Sequence, residues 1–123
     1  MTGAKKISVL IADDEEDTRR LLSEYFNSMD IKTDAAEDGK RALELLDCKE
    51  YDFVFLDCNM PEVTGLEVAK ALKTKAPHSK IIMMTGYGPM DEGFAKAAGV
   101  DIYIKKPISL KEIKNIIRGK HGK

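Results

Sequence analysis

The sequence predicts an α/β fold: a doubly wound, five-stranded parallel sheet in the order 2-1-3-4-5, with helices on both faces. Short apolar runs of strand length recur five times, and each is followed by a helical segment. Gly, Pro and Asp residues punctuate the joints. Strands that alternate with helices pair in parallel through right-handed crossovers, and such a sheet takes its ligand beyond the carboxyl ends of its strands, where the strand order reverses.

Strand 1 is Ile7-Ser8-Val9-Leu10-Ile11-Ala12, mostly apolar and stopped by acids, as suits a strand covered on both faces. Leu21, Leu22, Tyr25, Phe26 and Met29 then form one stripe of a helix starting near Glu15, with acids in its first turn. Ile31 to Ala35 alternates with period two, as a half-exposed edge strand does, and Asp38-Gly39 turns into a helix carrying Ala42, Leu45 and Leu46. Asp52 to Leu56 is strand 3, and a helix through Leu66, Ala69 and Leu72 follows Pro61. Ile81 to Met84 is strand 4. The turn-rich Gly86-Tyr87-Gly88-Pro89 precedes a short Ala-rich helix around Asp91 to Ala98, ended by Gly99. Val100 to Ile104 is strand 5, and a last helix from about Ser109 sets Leu110, Ile113, Ile116 and Ile117 on one face.

With 123 residues and 43% hydrophobic content, the chain suits a single domain over residues 1–123, its core at about 6–118 and a short basic tail beyond. Lys and Arg total 20 against 21 Asp and Glu, a net charge of −1 that lacks the cationic surplus of a dedicated nucleic-acid binder. No apolar run approaches the ~18 residues of a membrane span, and the first residues do not read as a signal peptide. Cys48 and Cys58 lack metal-site spacing and read as free thiols in a reducing cytoplasm.

Chemistry gathers at the strand ends. Strand 1 ends in Asp13-Asp14, strand 3 in Asp57, strand 4 in Thr85 and strand 5 in Lys105-Lys106-Pro107. Neighbouring strands 1 and 3 bring Asp13, Asp14 and Asp57 into one pocket, where mutual repulsion calls for a hard divalent cation with oxygen ligands, Mg²⁺. A metal, a carboxylate, a hydroxyl and a lysine equip a site for phosphoryl transfer. The metal offsets phosphoryl charge, Asp57 is the candidate nucleophile, and Lys and Thr hold the remaining oxygens.

On these residues the chain resembles a response-regulator receiver domain of the single-domain chemotaxis or sporulation-phosphorelay type, a flavodoxin-like fold, over nearly its whole length. The motifs are Asp13-Asp14, Asp57-Cys58-Asn59-Met60-Pro61 with Gly65, Thr85, and Lys106-Pro107. The resemblance implies a two-component signalling protein whose Asp57 accepts a phosphoryl group from a histidine kinase or a histidine phosphotransfer protein. It implies direct Mg²⁺ ligands in Asp14, Asp57 and the Asn59 carbonyl, with Asp13 acting mainly through water. It implies phosphoryl contacts from Lys106 and from the N–H groups of Asn59 and Gly86, and a cis Lys106-Pro107 bond. Thr85 and Tyr103 would form a switch that re-forms the face of the short fourth helix, strand 5 and the last helix, where a protein partner binds. The implied chemistry is a phosphoacceptor's transfer and self-hydrolysis rather than that of a dedicated enzyme. Gly86 stands where Ala is usual and Ile108 where Phe is frequent. Asn59 and Tyr87 occupy positions that tune phosphoryl lifetime.

Simpler readings stand beside these. Asp13 and Asp14 alone suit a helix cap; Thr85 suits any strand end; Tyr103 suits a core edge; Cys58 suits a small hydrophobe; and His78 and His121 suit solvated loop and tail positions. A pseudo-receiver that only binds proteins is disfavoured by the intact Asp, Thr and Lys set. A flavin phosphate would be repelled by Asp13-Asp14-Glu15-Glu16-Asp17, and a dehalogenase-type phosphatase needs Asp-x-Asp after its first strand. Met1 and the short tail favour a stand-alone receiver.

Overall fold

The computed structural model describes residues 6–86 and 99–119. In chain order they form β1 (Ser8–Ala12), α1 (Glu16–Ser28), β2 (Lys32–Ala36), α2 (Gly39–Cys48), β3 (Phe53–Asp57), α3 (Gly65–Lys75), β4 (Lys80–Thr85), β5 (Ile102–Lys105) and α4 (Leu110–Ile117). The helix expected around Asp91 to Ala98, Tyr87, Gly88, Pro89 and His121 lie outside the described residues. No helix among those described is long and apolar enough to cross a membrane.

All strand pairs are parallel, as the alternation predicts, and the order is β2-β1-β3-β4-β5, as expected for this doubly wound class. Because side chains alternate across a sheet, each strand feeds two cores. Val9 and Ile11 of β1, Phe55 of β3, Ile82 and Met84 of β4 and Ile104 of β5 pack with Leu22 and Phe26 of α1 and with Ile113 and Ile116 of α4. On the other face Leu10, Ala12, Val54, Leu56, Ile81 and Met83 pack with Ala42 and Leu46 of α2 and with Val68, Ala69 and Leu72 of α3.

Local chemistry sets the joints. Asp38 caps α2 by accepting from Arg41 N–H, Ser109 caps α4 by accepting from Glu112 N–H, and Thr64 with Glu67 forms a reciprocal capping box on α3. Strand 2 starts one residue later than its alternation suggests, because Ile31 N–H is used by Phe26 C=O to close α1 through Asp30 in a left-handed conformation (φ 60°). Strand 5 likewise starts at Ile102 rather than Val100. There the chain is still recovering from Gly99 (φ 94°), and Asp101 is stapled to Ile81 through both its N–H and its carboxylate.

The stripe of α1 needs one correction. Leu22 and Phe26 are fully buried, but Leu21 is 42% exposed and stands on the rim of the cleft described below. Removing the two side chains should therefore differ sharply. Phe26→Ala, which empties the space against Phe55, is expected to cost about 3–5 kcal/mol. Leu21→Ala should stay within about 0.5 kcal/mol in the same urea titration.

Candidate functional site

Strand parity builds the site. Asp13 continues the row Val9, Ile11 one step past β1; Asp57 continues Phe53, Phe55; Lys106 continues Ile102, Ile104 one step past β5. All three polar residues therefore end the same apolar face, the one covered by α1 and α4. The backbone ladder runs on past the strands and fixes this rim: Asp13 N–H donates to Ala36 C=O (3.1 Å), Cys58 N–H to Met84 C=O (2.8 Å) and Lys106 N–H to Thr85 C=O (2.7 Å). The Lys106-Pro107 peptide is cis. Gly65, which opens α3, is required by close approach, since a Cβ there would lie 2.4 Å from Asp57 C=O.

Carboxylate oxygens of Asp13, Asp14 and Asp57 lie within 4.8 Å of one another. Asp13 and Asp57 are buried and Asp14 is exposed. Asp13 does not cap α1, whose N-cap is Glu15; its carboxylate closes the turn before the helix with one oxygen and faces the site with the other. Its Oδ1 accepts from Glu15 N–H (2.8 Å), while Oδ2 has no aligned hydrogen bond and faces Lys106 Nζ at 2.8 Å. The Asp57 carboxylate accepts at Oδ1 from Asn59 N–H (3.2 Å), and its Oδ2 is 3.8 Å from Lys106 Nζ.

This balance of charge is unfavourable to Asp57. Burial first, then the charge of Asp13, pushes its carboxyl up to about 6, against the pull of the Asn59 N–H and Lys106. Lys106 is shifted upward too, but in favour of its charge: burial alone would lower it, while Asp13 and Glu15 hold its ammonium above the ordinary lysine value. Burial, and then Asp57, raises the Cys58 thiol, which argues against a reactive thiolate there. A crowded carboxylate trio with one buried oxygen short of an aligned donor fits a hard divalent cation.

Gly86 is exposed and, with Asn59 and Pro107, lines an open cleft of about 690 Å³ above Asp57. Thr85 is buried at the end of the opposite row, Ile81, Met83, and is in register with Lys105; Tyr103 lies two residues back on that same face, half-buried against the α2 and α3 core. His78 is solvated, as expected, and both cysteines are free. Glu15 escaped notice in the sequence. Its carboxylate takes a 2.6 Å hydrogen bond from Lys106, and nothing distinguishes it within the acidic run Asp13 to Asp17. Arg19 donates to Asp13 C=O at 2.8 Å and was equally silent.

A parallel sheet of this order, with an acidic trio and a lysine at its switch point, defines the class of receiver domains. Residues 9–118 match the family described as the response regulator receiver domain, and the chain belongs to that family. It is 32% identical over 111 residues to sporulation initiation phosphotransferase F of Bacillus subtilis (strain 168), covering 89% of this chain and 90% of that protein. It is 33% identical over 119 residues to regulatory protein AtoC of Escherichia coli (strain K12), covering 96% of this chain but 25% of that one. The chain thus spans about a quarter of the length of the longer regulator. Among solved structures, response regulator protein TrrA of Thermotoga maritima in complex with Mg²⁺-BeF superposes with a TM-score of 0.83 at 33% identity, covering 93% of this chain and 98% of that chain. The family is that of the receiver modules of two-component response regulators.

The raised Asp57 carboxyl carries a pH prediction. Between the ordinary value of 3.8 and about 6 the folded chain keeps a proton that the unfolded chain releases. Stability of the metal-free protein is therefore lost as pH rises through that window. Asp57→Asn cannot ionise, so its melting temperature in chelator should exceed the native one by a wider margin at about pH 8 than at about pH 4. Equal margins in thermal melts at the two pH values would refute the assignment.

Proposed function

We propose that Asp57 is the phosphoacceptor of this receiver and that Asp13, Asp14, Asp57 and the Asn59 carbonyl hold Mg²⁺. The observation that carries this reading is the buried Asp57 carboxylate on the floor of an open cleft, crowded by two acids and faced by one ammonium. When bound, Mg²⁺ would supply positive charge to the transferring phosphoryl group. In the forward step an Asp57 oxygen forms a bond to phosphorus as the P–N bond of a partner's phosphohistidine breaks. The leaving imidazole takes its proton from solvent. In the reverse direction of the switch, water attacks phosphorus and Asp57 leaves as a carboxylate, so the protein resets itself.

Lys106 pairs with a phosphoryl oxygen on Asp57, and the N–H groups of Asn59 and Gly86 donate to the others. The amide that donates to Asp57 Oδ1 in the resting site is thus already oriented. The Thr85 hydroxyl turns toward the new oxygens, and Tyr103, on the same sheet face, follows into the space it leaves. The face built on β5 and α4 changes as a result and is where a downstream protein binds. The donors are a histidine kinase or a histidine phosphotransfer protein, in keeping with the phosphotransferase relative that matches this chain over most of both lengths. The net charge of −1 and the absence of a membrane-spanning helix among the described residues support a cytoplasmic protein without direct nucleic-acid contact. The chemistry of this site is its own phosphorylation and dephosphorylation.

Intact-mass analysis after incubation with phosphoramidate tests the assignment. A single phosphoryl adduct should form with Mg²⁺, fail to form in chelator, and be lost in Asp57→Ala. An adduct that persists in Asp57→Ala, or none in the native chain, would overturn it.

A further inference from the structure

Three acids compete for one ammonium. Lys106 Nζ is 2.6 Å from Glu15 Oε1, 2.8 Å from Asp13 Oδ2 and 3.8 Å from Asp57 Oδ2, and its side chain is 14% exposed. In this resting arrangement the nearest partner is the exposed Glu15, which is not a member of the acidic trio around Asp57. Glu15 is well placed to hold it. It is the N-cap residue of α1; its N–H is tied to Asp13 Oδ1, and its C=O accepts from Arg19 N–H at 3.2 Å. With its backbone pinned on both sides, its 61% exposed carboxylate reaches back over the cleft mouth and meets Lys106 from the solvent side, while Asp13 meets it from below.

We infer that Glu15 is a positioning residue that parks the Lys106 ammonium away from Asp57, so that phosphorylation must break the Glu15 pair before Lys106 can reach the phosphoryl group. The inference rests on the phosphoacceptor reading of Asp57 and names a residue that sets its energetics. Competition for one ammonium gives the sign: at 3.8 Å from Asp57 Oδ2 it must move to bond the new oxygens, and the stronger its pair with Glu15, the weaker the gain from that move. Removing the Glu15 charge leaves Asp13, at 2.8 Å, as the nearest partner of Lys106 and lifts the pull from the solvent side, without altering Asp13, Asp14 or Asp57. A general electrostatic effect of Glu15 on an anionic donor at the cleft mouth, where Asp14 and Asp17 also stand, would act without Lys106, and this separates the two explanations.

The test is a double-mutant cycle on the full chain, with fluoroberyllate and Mg²⁺ as the probe and binding affinity as the readout. Glu15→Gln should tighten fluoroberyllate binding about three- to tenfold, the range of a partly exposed charge-assisted pair, and the gain should vanish in a Lys106→Ala background. A second readout needs neither metal nor probe: the side-chain ¹⁵N resonance of the Lys106 ammonium in chelator should shift in Glu15→Gln while other lysine signals stay in place. If the native chain binds fluoroberyllate but Glu15→Gln binds no better, or its gain survives intact in Lys106→Ala, the inference is overturned and the phosphoacceptor reading stands. If the native chain takes neither fluoroberyllate nor a phosphoryl group, that reading falls, and an unmoved Lys106 resonance would overturn the Glu15 pair independently.

Discussion

A carboxylate buried beside two other acids, with its charge only partly compensated, is the constraint around which this site is organised. Asp57 cannot be moved into solvent, because its position at the end of an apolar row orients it. Nor is it neutralised by a tight ion pair, since Lys106 lies closer to Asp13 and Glu15. Its charge is therefore under-compensated, and its carboxyl sits near 6 rather than at the ordinary value. A carboxylate in that condition gains from any cation that relieves it, and under the phosphoacceptor proposal from the rearrangement that follows phosphorylation.

The sheet supplies the geometry at little local cost. A parallel strand row has one parity, so the residue that follows Ile11, Phe55 or Ile104 by two steps emerges on the same face with no special turn. α1 and α4 seal that face with Leu22, Phe26, Ile113 and Ile116, and this desolvates Asp57 from one side while leaving the cleft open on the other. Thr85 and Tyr103 follow the opposite parity and report to the α2 and α3 core. Among the described residues, Thr85 and Tyr103 thus link the rim beside Asp57 to the opposite face across β4 and β5.

Much of this was legible in the sequence because it depends on residue type and strand termini. Asp13, Asp57 and Lys106 were recognisable from where the apolar runs stop; alternation led to a parallel sheet, and the order 2-1-3-4-5 is one of the doubly wound arrangements such a sheet adopts. What escaped depends on side-chain reach and on hydrogen bonds between distant residues. Glu15 and Lys106 are 91 positions apart and meet only once the sheet is folded. Leu21 belongs to a helical stripe by spacing, yet it overhangs the cleft because α1 rides over the strand ends. The starts of β2 and β5 shifted because Ile31 and Asp101 give their N–H groups to Phe26 and Ile81. Asp34 reads as an exposed edge position but accepts from Tyr51 Oη and Lys49 Nζ; those bonds, working against burial, lower its carboxyl.

The central claim is that the Asp13, Asp14 and Asp57 carboxylates form one cation site whose charge governs the switch. Isothermal titration of the metal-free chain with Mg²⁺ tests it most directly. Saturable single-site binding that is lost in Asp14→Asn and in Asp57→Asn, and kept in Thr85→Ala, is the predicted result. Binding that survives both Asn substitutions, or no saturable binding by the native chain, would contradict it.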